Sequence, residues 1–288
     1  MFDRILFPTD GGEGAATTLD HVLDLAADHG ATVHVLNVAD TTHDSVTRVG
    51  RDVVDVLERE GDGVVEAAAD RAADRGVETV TAVLQGGVAE TIAAYAADHE
   101  VDLIAMPTRG RTGLDRLLLG STTERVVRRS APPVLSLRPD GEPARYPYRS
   151  VLVPTDGSER ADAALDRAVA LAARSGATLH VLSVVDVGSL GIEAYSGTDA
   201  LVSAAEETVA EAAAVAEAAG VETVEHVEVG SSAARGIRAY LADHDVDLVA
   251  MGTQGRTGVE RYLLGSVAER TVRTSPVPVL TMPDADPE

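Results

Sequence analysis

Residues 251–266, Met-Gly-Thr-Gln-Gly-Arg-Thr-Gly-Val-Glu-Arg-Tyr-Leu-Leu-Gly-Ser, carry the pattern in this chain best suited to chemistry. The run 246–250 before them reads as a buried strand, and 267–274 after them as a helix. A strand, a glycine-rich turn and a helix N-terminus together hold anions. The first-turn N–H groups have no helical partner, and the helix dipole favours negative charge there. The spacing is Gly252, two residues, Gly255, nine residues, Gly265, then Ser266. It lacks the Lys that ends a Walker loop, and it is not Gly-x-Gly-x-x-Gly.

The elements that position this stretch occur twice. Ile5-Leu-Phe-Pro-Thr-Asp-Gly11 matches Val151-Leu-Val-Pro-Thr-Asp-Gly157, and Gly30-Ala-Thr-Val-His-Val-Leu36 matches Gly176-Ala-Thr-Leu-His-Val-Leu182. Ala97-Asp-His-Glu-Val-Asp-Leu103 matches Ala242-Asp-His-Asp-Val-Asp-Leu248, so the chain is an internal duplication. The expected domains are 1–138 and 149–283, joined by a linker, 139–148, with Pro139, Gly141, Pro143 and Pro147. In the first copy, strands are expected near 3–8, 32–38, 78–84, 102–106 and 133–137, with helices near 15–29, 51–75, 88–99 and 121–129. In the second copy the strands are expected near 149–154, 178–184, 222–229, 247–251 and 278–282. Its helices are expected near 159–175, 199–219, 232–244 and 266–274. Gly61 and Gly63 weaken the expectation of one unbroken helix over 51–75. The alternation predicts an α/β fold, two tandem doubly wound parallel five-stranded sheets, with ligands outside the carboxyl ends of the strands.

Several residues fall on that edge. Asp10 and Asp156 end the first strand in Pro-Thr-Asp-Gly, and suit either a ligand contact or a turn. Val38 and Val184 end the second strand. Thr108, Gly110, Arg111, Gly120, Ser121 and Thr122 in the first copy match Thr253, Gly255, Arg256, Gly265, Ser266 and Val267 in the second. Ser121-x-x-Glu124 and Ser266-x-x-Glu269 each fit a capping box as well as a phosphate contact. Arg111 and Arg256 suit a phosphate or the abundant carboxylates equally. His34, His180, His99 and His244 lack metal-ligand spacing with carboxylate support and read as core or surface histidines.

The loop spacing, the Pro-Thr-Asp-Gly turns and the duplication resemble the universal stress protein family, in a tandem two-domain form. The resemblance covers nearly the whole chain apart from the linker and the last few residues. It implies a Rossmann-like, adenine nucleotide alpha hydrolase-like fold with an adenine nucleotide in each half, ATP or a relative, accompanied by Mg²⁺. It places Asp10 and Asp156 by the ribose and adenine, and the backbone of Val38 and Val184 at the adenine edge. The phosphates fall to Gly252, Thr253, Gly255, Arg256, Gly265, Ser266 and Val267, and to their counterparts in the first copy. The resemblance also implies that the last strands pair, giving an intrachain pseudo-dimer, with a homodimer of the tandem chain beyond that. The implied role is a stress-response or regulatory binding protein acting through a protein partner.

The first copy departs from the pattern at Pro107, which stands where the second has Gly252. Proline has no N–H, so unequal sites are expected. Nothing in the sequence pairs a nucleophile with a base, so binding is favoured over turnover. Slow adenine-nucleotide hydrolysis is the alternative, and a non-binding assembly module is the third reading. The net charge is −23, and every Lys or Arg position is Arg. Such an excess of carboxylates opposes nucleic acid or anionic membrane as a partner. It resembles proteins of a salt-adapted, halophilic cytoplasm. The chain has no Cys, no apolar run long enough to span a bilayer, and no signal-peptide pattern at its start, so a cytoplasmic location is expected.

Overall fold

The computed structural model describes residues 2–41, 51–109, 119–139, 143–188, 198–254 and 264–283. The chain divides into two units, Met1–Tyr146 and Pro147–Glu288. In the first unit β1 (Arg4–Pro8), α1 (Glu13–His29), β2 (Thr32–Asp40), α2 (Arg51–Ala73), β3 (Thr79–Gly86), α3 (Val88–Asp98), β4 (Leu103–Pro107), α4 (Ser121–Arg129) and β5 (Val134–Leu137) follow in order. Its strands lie in the order β3-β2-β1-β4-β5, all parallel. The second unit repeats this with β6 (Ser150–Pro154), α5 (Glu159–Ser175), β7 (Thr178–Asp186), α6 (Thr198–Ala218), β8 (Thr223–Gly230), α7 (Ala233–Asp243), β9 (Leu248–Gly252), α8 (Ser266–Thr274) and β10 (Val279–Met282). Its order is β8-β7-β6-β9-β10, again parallel.

The strand chemistry explains these positions. Ile5, Leu6 and Phe7 of β1, Leu103 and Ile104 of β4, and their counterparts Val151, Leu152, Leu248 and Val249 are buried. Such continuous apolar runs suit strands covered by helices on both faces. β3 and β8 mix Thr, Gln, Glu and His with valines and stay half exposed, as edge strands can.

The repeated sequence blocks are bracing. Asp102 Oδ2 accepts the N–H groups of Asp3 (2.7 Å) and Arg4 (3.2 Å), tying the approach to β4 to the start of β1. Asp247 Oδ2 does the same for Arg149 (2.7 Å) and Ser150 (3.1 Å). Gly30 (φ 66°) and Gly176 (φ 67°) close α1 and α5 in the left-handed conformation, which glycine adopts without the Cβ penalty.

Helix α2 runs unbroken through Gly61 and Gly63, as the helix expected near 51–75 requires despite those glycines. A Cβ on Gly61 would lie 2.6 Å from Asn37 Oδ1 and 2.9 Å from Val83 Cγ1. This glycine lets the helix press on β2 and β3, and that packing outweighs a helix cost of about 1 kcal/mol per glycine. Near the expected linker, Tyr146 belongs to the first unit. Its hydroxyl donates to Asp28 Oδ2 (2.8 Å), and its ring stands edge-on to His21 of α1 at 5.9 Å. No described helix is long and apolar enough to cross a membrane.

Candidate functional site

Strand order reverses at β1, which has β2 on one side and β4 on the other, and likewise at β6. In open α/β sheets ligands enter the crevice outside the carboxyl ends at such a switch point. The turn after β1 forms one wall. Thr9 N–H extends the ladder to Leu36 O (2.9 Å), and Thr155 N–H to Leu182 O (2.8 Å). Thr9 Oγ1 then accepts Gly11 N–H (3.1 Å), and Asp10 Oδ1 accepts Gly12 N–H (2.9 Å). In the second unit, Thr155 Oγ1 accepts Gly157 N–H and Asp156 Oδ1 accepts Ser158 N–H, both at 3.1 Å. Gly11 (φ 73°) and Gly157 (φ 68°) supply the left-handed step of this turn. One oxygen of each aspartate therefore shapes the turn and aims the following helix at the crevice. Asn37 Nδ2 also donates to Thr9 O (2.8 Å), a brace with no counterpart in kind, since the second copy has Ser183 there.

Val38 and Val184 do not end their strands, which continue to Asp40 and Asp186. Register explains why their backbone still matters. In a parallel strand, alternate residues direct N–H and C=O to the same neighbour. Leu36 and Leu182 face β1 and β6, so Val38 and Val184, two residues on, face the same side. There β1 and β6 have already turned away, so these groups point into the crevice.

The second wall is the end of β4 or β9 and the helix after it. Thr108 N–H donates to Leu137 O (2.7 Å), and Thr108 O accepts Gly120 N–H (2.9 Å). Thr253 N–H donates to Met282 O (3.2 Å), and Thr253 O accepts Gly265 N–H (2.8 Å). The glycine-rich loop is thus pinched shut at its base. A Cβ on Gly120 would lie 3.0 Å from Thr108 O, and one on Gly265 2.9 Å from Thr253 O. These two glycines serve close approach, with ordinary φ values of −60° in both cases. Thr123 Oγ1 adds a bond to Pro107 O (3.0 Å).

This geometry overturns the capping-box expectation. Gly120 and Gly265 are the N-caps, and a glycine has no side chain with which to cap its helix. Ser121 and Ser266 are first helical residues. Glu124 and Glu269 lean instead on Arg128 (3.4 Å) and Arg273 (3.9 Å). Hence Ser121, Thr122 and Thr123, and Ser266, Val267 and Ala268, carry the first-turn N–H groups that a helix cannot satisfy internally. The exposed Ser121 and Ser266 stand at the helix starts, next to those groups. Gly110, Arg111, Gly255 and Arg256 lie outside the described residues.

Gly252 lies in extended strand backbone, so a positive φ is not its reason. A Cβ there would lie 3.0 Å from both Arg160 Cβ and Arg160 O, on the first turn of α5. Thr253 faces β10, so the backbone of Gly252, and by the same count that of Pro107, faces the crevice side. Sequence reasoning missed this packing because the two partners are far apart in the chain. The exchange of Gly252 for Pro107 alongside Arg160 for Gly14 was its one visible trace.

The histidines form a separate, duplicated cluster toward the amino end of β2 and β7. His34 Nδ1 shares a hydrogen bond with the Tyr95 hydroxyl (3.0 Å), and His180 Nδ1 with that of Tyr240 (2.7 Å). His99 and His244 stack on those tyrosines with centroids 3.8 Å apart. Burial, then the neighbouring His99 and Arg4, lower the pKa of His34, while burial and His244 lower that of His180. Among the described residues, no group of three or more acidic or histidine side chains is placed to hold a metal.

Each unit is therefore a doubly wound α/β domain with a glycine-started helix and a loop pinched at its base at its switch point, and the chain carries the arrangement twice. The model of the universal stress protein family matches residues 1–138 and 147–283, and the chain belongs to that family. A universal stress protein of Methanocaldococcus jannaschii is 31% identical over 145 residues, 48% of this chain and 83% of its own. The Bacillus subtilis universal stress protein YxiE is 31% identical over 148 residues, 48% of this chain and 100% of its own. The crystal structure of a universal stress protein from Archaeoglobus fulgidus superposes with a TM-score of 0.75 at 25% identity. That likeness spans 97% of this chain and 98% of the other, so the tandem form is shared across its length.

Proposed function

We propose that each half binds an adenine nucleotide, ATP or a close relative, and that the chain acts as a stress-response or regulatory binding protein. The observation that carries this reading is the glycine-started first turn of α4 and of α8, set beside a glycine loop pinched at its base at the switch point. Three backbone N–H groups and a helix dipole there favour phosphate oxygens. Family membership supports the same reading. The backbone of Val38 or Val184 would read the adenine edge, and Asp10 or Asp156 would hold the ribose with the oxygen that the turn does not use as acceptor for Gly12 or Ser158. Gly110, Arg111, Gly255 and Arg256 would complete the phosphate loop, with Mg²⁺ arriving on the nucleotide.

In this proposal the protein binds rather than turns over its ligand, and its output is a change of shape presented to a protein partner in the cytoplasm. Hydrolysis needs a group to activate water, and the sequence pairs no nucleophile with a base in either copy. Two experiments test the proposal. Denaturing the purified protein and identifying what is released should yield an adenine nucleotide. Incubation with ATP should then give negligible ADP. Steady ADP production lost on Arg256→Ala would promote the hydrolase reading.

A further inference from the structure

We propose that Arg160 reads the phosphate charge of the ligand in the second half, while the first half supplies its matching cation from the opposite wall, through Arg109. The inference rests on the adenine-nucleotide reading and deepens it. Arg160 is the second residue of α5, four past Asp156, and is half buried. Its Cβ and carbonyl oxygen each lie 3.0 Å from where a Cβ on Gly252 would stand. Any larger residue at 252 would push this turn away from the end of β9. Glycine there lets the first turn of α5, which carries Arg160, rest against the end of β9.

The first half fills the same place differently. Gly14, the counterpart of Arg160, has no side chain, and Pro107 replaces Gly252. A Cβ on Gly14 would lie 2.5 Å from Pro139 Cβ and 3.9 Å from Arg109 O. Pro139 thus covers the position from which Arg160 springs in the second half. Across the crevice the exchange runs the other way, with Arg109 just beyond β4 where the second half has Gln254. Each half carries one such arginine, in addition to Arg111 and Arg256, which the two copies share in sequence. A guanidinium is permanently charged and pairs with phosphate through two parallel N–H bonds. Its contribution therefore appears with ATP and vanishes with adenosine, which carries no phosphate.

The test is calorimetric titration of the full chain in molar KCl, with ATP and with adenosine separately. Wild type is compared with Arg160→Ala and with Arg160→Ala/Gln254→Arg. The single change should weaken ATP at half of the sites by about ten- to a hundredfold, the range for losing a charge-assisted hydrogen bond. Adenosine should shift less than about twofold, within the scatter of surface substitutions. Adding Gln254→Arg should return most of the ATP affinity, because the cation then comes from the wall the first half uses. Thermal unfolding checks that the variants fold, and Arg160→Gln takes the place of Arg160→Ala if the latter does not. An unchanged ratio of ATP to adenosine affinity, or no recovery with Gln254→Arg, overturns the role given to Arg160. Wild type that binds neither ligand overturns the nucleotide reading, and this inference falls with it.

Discussion

His21 should make the first unit sensitive to mild acid. The ring lies in α1 under the segment that ends at Tyr146, and burial lowers its pKa from 6.5 to about 4, against a smaller upward pull from a backbone bond with Ala144. The shift corresponds to about 3 kcal/mol at 1.36 kcal/mol per pKa unit. The sign follows from linkage. Between pH 4 and 6.5 the unfolded chain binds a proton on this histidine and the folded chain does not, so stability rises with pH across that window. The full contribution is present above about pH 6.5, about 2 kcal/mol of it is gone by pH 5, and the rest goes as pH falls through 4. Other groups titrate in the same range, so the readout is a difference. Denaturant unfolding in molar KCl from pH 7 to 5 should show the wild type losing about 2 kcal/mol more than His21→Phe, which keeps an aromatic ring edge-on to Tyr146 without a titrating nitrogen. Two curves that stay parallel from pH 7 to 5 would refute the reasoning.

Three further outcomes are expected. Gly265→Ala puts a methyl 2.9 Å from Thr253 O and should break the 2.8 Å bond that closes the loop. It should cost about 1 kcal/mol or more in stability, and it should weaken ATP binding at one class of site; unchanged affinity would separate the pinch from the ligand. Asp156→Asn keeps an acceptor for Ser158 N–H and should leave stability within about 0.5 kcal/mol. Reduced ATP affinity would then report on the carboxylate alone, while wild-type affinity would confine Asp156 to the turn. With a net charge of −23, the unfolding midpoint should rise along a KCl series as repulsion is screened. A flat series would remove the salt-adaptation argument.

Much of the fold was legible because the duplication repeats its own punctuation. Gly30 and Gly176 mark the same helix stop, and Asp102 and Asp247 precede the same strand, so two weak local signals reinforce each other. The misreadings share a physical origin in tertiary close approach. Ser-x-x-Glu fits a capping box by local rule, but the approach of Gly120 to Thr108 O moves the N-cap one residue back. Gly61 weakens the helix by local rule, and its packing on Asn37 and Val83 shows why it is there. Gly252 reads as a loop glycine, although the first turn of α5 is what demands it. The candidate site was found from its glycines, yet at 120, 252 and 265 the structure gives those glycines packing reasons. The ligand-facing groups are the backbone N–H groups beside them, which no side-chain pattern can announce.

The central claim is that the pinched loop and the glycine-started helix in each half form an adenine-nucleotide site. Calorimetric titration of the full chain with ATP in molar KCl, beside the double variant Gly120→Ala/Gly265→Ala checked for folding, tests it most directly. The account predicts two ATP per wild-type chain and strongly weakened binding in the variant. No ATP binding by wild-type protein freed of any co-purified ligand would contradict it.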